Sequence, residues 1–235
     1  MNLSKLYART KKAVEEYKMI TPGDKIAVGL SGGKDSLTLL YALHGLSKFK
    51  DADFTIHGVM VDLGFPGFDP TPIAELCKKL DIPFTHIKSE LGKVIFEDRQ
   101  EKNPCSMCSK MRKGLLNKTI LEMGCNKVAY GHHRDDFIDT FFLSLLYEGR
   151  FHTMEPKFRM SETGLTLIRP LLYVPEEDIK VFEKTMELPV MKQPCPRDGI
   201  SSRQTMTHLV EDLKKQYPDC QEKIFSSLKD QNFFI

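Results

Sequence analysis

The chain has 235 residues, of which 41% are hydrophobic and 28% are charged, and its formal net charge is +2. These values are typical of a soluble protein with one large α/β domain, and the near-balanced charge restricts any nucleic-acid surface to a local patch. No apolar stretch approaches the roughly 20 residues of a membrane span, and the N-terminus lacks the apolar core of a signal peptide. We therefore expect a cytoplasmic protein with no membrane partner.

Helical and strand-like patterns alternate along the chain. An amphipathic helix is predicted within residues 1–20, followed by a buried strand at 26–30 and a helix at 36–46. Later strands are predicted at 54–65, 83–91, 127–133 and 165–172, later helices at 72–81, 110–124, 135–149, 175–188 and 202–218, and an irregular segment at 150–163. This alternation predicts a doubly wound, mostly parallel α/β sheet of the Rossmann-like type. The expected parts are an N-terminal helix packing on the core (1–22), the main domain (23–190) and a C-terminal helical segment (191–235).

The seven residues LSGGKDS, 30–36, lie between the first predicted strand and the helix after it. A tight loop at a helix N-terminus presents backbone N–H groups and the positive end of the helix dipole, which bind anions and most often phosphate. Gly32 and Gly33 let the backbone approach such a ligand closely. The spacing is not that of a Walker A loop. The alternative is an ordinary turn in which Ser31 or Ser36 caps the helix.

A second polar motif, GHHRDDFIDT at 131–140, also follows a predicted strand and opens a helix. Carboxylates are favourable near a helix N-terminus, so Asp135 and Asp136 have a simple capping interpretation. The pair His132 and His133 favours a site instead. Carboxylates beside a phosphate loop indicate Mg²⁺, which prefers carboxylate, water and phosphate oxygens.

The carboxyl end of the second predicted strand carries Asp62. Sites in doubly wound sheets lie off the carboxyl ends of the strands. Asp62, the loop at 30–36 and the histidine pair all fall at such ends, so one active site is expected there.

Cys105 and Cys108 form a C-x₂-C pair at the start of a predicted helix, whose dipole helps to deprotonate thiols. Alone, the pair is ambiguous between zinc, iron–sulfur and a redox disulfide. Cys195 lies between two prolines that fix its backbone, with Asp198 three residues later. Three protein ligands would leave a fourth position open for chemistry. Buried or idle thiols are expected at Cys77, Cys125 and Cys220.

The string SGGKDS resembles the PP-loop of the N-type ATP pyrophosphatases, which implies ATP. The motifs SGGKDS, PCSMCSKMRKG, GHHRDD and IRPLL occur in the order seen in the tRNA 2-thiocytidine synthetases, and the similarity extends to about Tyr217. It implies that ATP adenylates the C2 carbonyl of an anticodon-loop cytidine, that sulfur replaces the oxygen, and that AMP and pyrophosphate are released. It further implies Mg²⁺ and a [4Fe-4S] cluster whose fourth iron is open to incoming sulfide.

The roles of individual residues follow from this resemblance. It implies catalytic roles for Lys34, Asp35, Asp135 and Asp136. It implies ATP contacts for Ser31, Gly32, Gly33, Lys34, Asp35, Ser36, Asp62, Gly131 and His132. It implies cluster ligation by Cys105, Cys108 and Cys195. Lys34 would neutralise charge that develops on pyrophosphate, and Asp62 would contact the adenosine.

The chain departs from the family at one ligand position. Family members often show a second C-x₂-C where PCPRDG places Asp198, so Asp198 is the alternative third ligand to Cys195. Thiolate is the usual ligand of such clusters, which favours Cys195. Two other functions stay open: a thiolase or ligase for another base or a small molecule, and a zinc-stabilised ATP- or RNA-binding module.

Basic residues lie beside the cysteines at 110–118 and alternate with phenylalanines at 150–159. Basic groups contact phosphates and aromatic rings stack on unpaired bases, which favours RNA over two solvated faces. The expected partners are the anticodon region of tRNA and a sulfur donor, either a cysteine desulfurase or free sulfide. A homodimer is also compatible with the sequence.

Overall fold

The computed structural model describes residues 1–98, 104–191, 194–195, 202–231 and 233–234, with the side chains of 97, 98, 202 and 203 left out. Within these residues a six-stranded sheet has the order β3-β2-β1-β4-β6-β5. The strands are β1 (Asp24–Leu30), β2 (Phe54–Asp62), β3 (Phe84–Lys88), β4 (Lys127–Ala129), β5 (Lys157–Arg159) and β6 (Thr166–Ile168). All neighbouring pairs are parallel except β5 with β6. The predicted doubly wound, mostly parallel sheet is confirmed.

Helices cover both faces of the sheet. They are α1 (Leu3–Glu16), α2 (Lys34–Ser47), α3 (Thr71–Lys79), α4 (Leu91–Lys93) with a π-helical turn (Val94–Asp98), α5 (Pro104–Glu122), α6 (Arg134–Glu148), α7 (Glu176–Met186), α8 (Ser202–Gln216) and α9 (Cys220–Asp230). None of the helices in the described ranges is long and apolar enough to cross a bilayer.

The core divides into two layers because alternate strand residues face opposite sides of the sheet. On one side, Ile26 and Val28 of β1 pack in a cluster with the fully buried Leu40 of α2. On the other side, Ala27 of β1 belongs to a cluster that contains Ile120 of α5. The sheet therefore separates α2, which follows the loop at 30–36, from the cysteine-bearing helix α5.

Three local differences from the predicted elements have simple causes. The segment predicted to be irregular contains the edge strand β5, whose three residues are too few for an alternating pattern. Helix α9 lies beyond the last predicted helix, in a segment rich in charge. Helix α5 begins at Pro104, six residues before the predicted start, because proline is well tolerated in a first helical turn.

Candidate active site

Two serines brace the loop between β1 and α2. Ser36 Oγ donates to the carbonyl of Gly33 at 2.9 Å and accepts from the backbone N–H of Ser31 at 3.2 Å. Gly32 has a φ of +82°, which an L-residue rarely adopts. Gly33 caps α2 without a side-chain hydrogen bond. The first-turn N–H groups of α2 and the positive end of its dipole are therefore presented at the edge of the sheet, as an anion site requires.

The Lys34 ammonium lies between two carboxylates, 3.1 Å from Asp35 Oδ1 and 3.0 Å from Glu176 Oε1. Burial alone would lower the pKa of Lys34, but these two carboxylates outweigh it and raise the pKa above its ordinary value. Burial would raise the pKa of Glu176, but hydrogen bonds from Lys180 and Lys34 lower it to about 2. Both groups of the pair are consequently charged at neutral pH.

The motif at 131–136 forms the start of α6. His133 is the N-cap, and its backbone N–H donates to Asp136 Oδ2 at 2.9 Å in a capping box. Asp135 accepts from two protein donors, the backbone N–H of Glu176 at 2.8 Å and Gln221 Nε2 at 2.9 Å. Asp135 thereby joins the N-terminal ends of three helices, whereas Asp136 stays at the open edge of the sheet.

One cavity of about 580 Å³ joins the loop to the cysteines. On the nucleotide side it is lined by Ser31, Asp35, Ser36, Gly131, His132 and Asp136. On the opposite side it is lined by Cys105, Cys108, Cys195, Arg112 and Lys113. Its floor includes the apolar side chains Val59, Val61 and Leu63. The fold therefore brings together three motifs that are up to 164 residues apart in the chain, from Ser31 to Cys195.

Cys108 lies close enough to the other two cysteines of the cavity for them to affect its pKa. Burial raises the pKa of Cys108, Arg112 lowers it, and the neighbouring Cys195 and Cys105 raise it further. All three are free thiols. No three or more His, Cys, Asp or Glu side chains in the described ranges converge on the position of a single metal ion. Thiolates are the usual ligands of iron–sulfur clusters, so this donor set, facing one cavity, fits such a group.

Several expected residues lie outside the cavity lining. Lys34 points towards α7, and the carbonyl of Gly32 is covered by Met191, whose backbone N–H donates to it at 2.9 Å. Asp62 accepts from the backbone N–H of Gly64 at 2.8 Å and lies 3.4 Å from His86 Nε2. Its contact with adenosine stays a prediction. Asp198 falls outside the described residues.

Two side chains of the site were missed by the sequence analysis. Tyr130 lines the cavity. Burial raises the pKa of Tyr130, although the positive charges of Arg112 and Arg169 lower it in part. Tyr130 directly precedes the histidine motif in the sequence, and this position could have indicated that it belongs to the site. The sequence does not indicate a role for Glu176 in the site, because acidic residues are common in the first turn of a helix.

A doubly wound sheet with an anion-binding loop beside a cysteine-lined cavity defines a nucleotide-binding α/β protein, and comparisons with known proteins identify its family. The model of the PP-loop domain matches residues 3–210. The tRNA-cytidine(32) 2-sulfurtransferase of Anaeromyxobacter dehalogenans is 35% identical over 228 residues, which are 95% of this chain and 78% of the relative. The enzyme of the same name from Bordetella petrii is 38% identical over 235 residues, which are 96% of this chain and 71% of the relative. The chain belongs to the PP-loop family, in the group of the tRNA-cytidine(32) 2-sulfurtransferases.

A solved structure has a similar fold. The U34-tRNA thiolase NcsA from Methanococcus maripaludis, with its [4Fe-4S] cluster, superposes with a TM-score of 0.79 at 23% identity. The match covers 97% of this chain and 78% of that chain. At this identity the likeness shows the shared fold.

Proposed function

We propose that this protein is an ATP-dependent tRNA sulfurtransferase that replaces the C2 oxygen of a cytidine in the anticodon region by sulfur. The observation that carries the proposal is the single cavity that contains both the phosphate loop and three thiols. A protein that only binds a nucleotide does not need a cysteine trio beside its phosphate loop. The name that both relatives share, tRNA-cytidine(32) 2-sulfurtransferase, supports the same reaction and substrate.

The loop side of the cavity would bind ATP. The N–H groups at the start of α2, together with Ser31 and Ser36, would hold the phosphates. Asp35 and Asp136 both line the cavity and would hold Mg²⁺ on the phosphate oxygens. Asp135 is engaged by Glu176 and Gln221, so its contribution would be to fix the motif at the start of α6.

The reaction would follow from this arrangement. The C2 carbonyl oxygen of the cytidine attacks the α-phosphate of ATP, and pyrophosphate leaves from the loop. A sulfur nucleophile then forms the C2–S bond while the C2–O bond breaks, and AMP carries the oxygen away. Positioning both reactants in one cavity supplies much of the rate enhancement.

The opposite wall would hold a [4Fe-4S] cluster through Cys105, Cys108 and Cys195. Three protein ligands leave one iron of such a cluster free to bind sulfur, which is the chemistry that the cluster supplies. Burial raises the pKa of Cys108, and the positive charge of Arg112 partly opposes this effect, in the direction that favours the thiolate. Asp198 is the alternative third ligand, although an oxygen donor is a poorer match for soft iron.

The partners of this reaction are tRNA and a sulfur donor. Arg112 and Lys113 line the cavity and would contact RNA phosphates at its mouth. Either a cysteine desulfurase or free sulfide would supply the sulfur. The reaction would take place in the cytoplasm, and the protein would act as a monomer or a homodimer.

The proposal is tested with anaerobically purified protein, ATP, Mg²⁺, sulfide and a tRNA transcript. We expect AMP and pyrophosphate as the nucleotide products and 2-thiocytidine among the nucleosides measured by mass spectrometry. ADP and phosphate as the main products would rule out the adenylation step. A colourless protein that contains zinc and leaves the tRNA unchanged would favour a zinc-stabilised binding module, and thiolation of another base would change the substrate.

A further inference from the structure

The side chain of Lys34 connects α2 to α7. Its ammonium is 3.0 Å from Glu176 Oε1, and the two side chains are only 23% and 24% exposed. The lysine of the phosphate loop would be expected to project into the cavity, towards the anion. Instead, the Lys34 side chain is absent from the cavity lining found within the described residues.

The carboxylate of Glu176 is itself held in place. The backbone N–H of Glu176 donates to Asp135 Oδ2 at 2.8 Å, and its Oε2 accepts from Lys180 Nζ at 2.8 Å. The backbone N–H of Arg134 donates to the carbonyl of Val174 at 3.0 Å, which ties the residues before α7 to the start of α6. A carboxylate restrained at backbone and side chain gives Lys34 a fixed partner.

The rest of α7 packs on α2 as well. The Phe182 ring meets Tyr41 edge to face with the centroids 5.8 Å apart, and Phe182 is fully buried. The apolar contact fixes the middle of both helices, and the ion pair fixes their N-terminal turns. The first turn of α2 carries Asp35 and Ser36, which do line the cavity.

We propose that Glu176 is a positioning residue that acts through Lys34. The ion pair holds the N-terminal turn of α2 against α7 and thereby sets the position of Asp35 and of the loop N–H groups that bind pyrophosphate. The inference rests on the proposed ATP site. It replaces the direct neutralisation of phosphate by Lys34 with an indirect role.

The two roles of Lys34 predict different patterns in a double-mutant cycle. If Lys34 acts only through Glu176, removing either partner breaks the same contact, and removing both adds nothing. If Lys34 binds phosphate directly, its loss is more severe than the loss of Glu176. In that case the change in binding free energy caused by Glu176→Gln would add to the change caused by Lys34→Met, or would have the opposite sign.

The experiment measures the dissociation constant of inorganic pyrophosphate, with Mg²⁺, by calorimetry on the full chain with its cluster. The variants are Lys34→Met, Glu176→Gln, their combination and Lys34→Arg, all at a temperature where circular dichroism shows each to be folded. Glu177→Gln is the matched control, because Glu177 is 77% exposed in the same helical turn and pairs with Lys214.

We expect Lys34→Met and Glu176→Gln each to weaken pyrophosphate binding by roughly threefold to tenfold. The dissociation constant of the double variant should lie within about twofold of that of the single variant that binds less tightly. Lys34→Arg, which can keep the pair, should recover most of the affinity that Lys34→Met loses, whereas Glu177→Gln should bind as the unmodified protein does. A much larger loss in Lys34→Met than in Glu176→Gln, or additive effects, would overturn the inference and leave the ATP site standing. Absence of pyrophosphate binding by the unmodified protein would overturn both.

Discussion

Gly131 lies against the first turn of α2 so closely that a Cβ on it would be 2.8 Å from the carbonyl carbon and oxygen of Asp35. It would also lie 2.9 Å from the backbone nitrogen of Ser36. These are backbone atoms, which cannot move aside as a flexible side chain can. The histidine motif and the phosphate loop therefore meet backbone to backbone, and only glycine permits this contact.

Replacement of Gly131 by alanine should displace the first turn of α2 and weaken ATP binding by at least about tenfold. Overpacking at such a contact costs about 1–3 kcal/mol of stability. Gly114→Ala is the control, because no atom of the described residues, apart from the adjoining residues and backbone of its own helix, lies within 4 Å of a Cβ built there. Alanine in a helix is also more favourable than glycine by up to about 1 kcal/mol. Calorimetric titration with ATP and thermal melts measure both effects. An unchanged ATP affinity in Gly131→Ala would contradict the close packing.

We expect the loop at 30–36 and the cysteines to have separate functions, so that a change in the loop leaves the cluster intact. Asp35→Asn removes a carboxylate from the nucleotide side of the cavity without touching the thiols. We expect AMP formation and tRNA thiolation to fall on the order of 10²-fold, because the variant lacks the charge that we propose to hold Mg²⁺ on the phosphates of ATP. Iron and sulfide contents should equal those of the unmodified protein. Loss of the brown chromophore in this variant would show that the two sides of the cavity are not independent.

Cys195 should be as necessary for iron as the C-x₂-C pair. It lines the same cavity as Cys105 and Cys108 and raises the pKa of Cys108. Cys195→Ala, Cys105→Ala and Cys108→Ala should therefore lose cluster iron to a similar extent, measured anaerobically as iron and acid-labile sulfide per chain.

Two further variants complete this comparison. Cys220→Ala should keep its iron, because Cys220 lies at the start of α9 and outside the cavity lining found in the described ranges. Asp198→Ala should keep its iron and change activity only. Iron lost in Asp198→Ala and kept in Cys195→Ala would make the carboxylate the third ligand.

The fold class and the family could be predicted from the sequence because they depend on local patterns. Short apolar runs predict strands, leucines at helical spacing predict α2, and the SGGKDS string lies between them. The meeting of the loop with Cys195 could not be derived from these patterns. It depends on where the chain returns after α7, which is a property of tertiary packing. Only the family resemblance indicated it.

The individual roles of polar residues were harder to predict than their presence. Asp135 and Asp136 are adjacent and equally acidic, yet Asp135 binds the start of α7 and Asp136 lines the cavity. Successive residues of a helix point in directions about 100° apart, so Asp135 faces a neighbouring helix and Asp136 faces the cavity. Lys34 and Asp35 divide in the same way. The sequence motifs therefore predict where the site lies, whereas the direction in which each side chain leaves its helix decides which group it contacts.

The ion pair between Lys34 and Glu176 should make stability depend on pH in acid. The pKa of Glu176 is lowered from 4.5 to about 2, because Lys180 and Lys34 outweigh the effect of burial. A carboxyl whose pKa is lower in the folded state contributes its stability above the unfolded pKa and loses it as the pH falls towards the folded pKa. Unmodified protein should therefore exceed Glu176→Gln by about 1–3 kcal/mol in unfolding free energy at pH 7.

The difference in unfolding free energy between the unmodified protein and Glu176→Gln should begin to narrow near pH 4.5, the ordinary pKa of a glutamate. It should continue to narrow towards pH 2. Urea unfolding of both proteins at pH 7, 5.5, 4.5 and 3.5 measures it. Glu177→Gln provides the comparison, because its carboxylate is 77% exposed and a surface pair contributes little. A difference that stays constant from pH 7 to 3.5 would show that Glu176→Gln acts through altered packing, and that the charge of Glu176 does not stabilise the junction of α2 and α7.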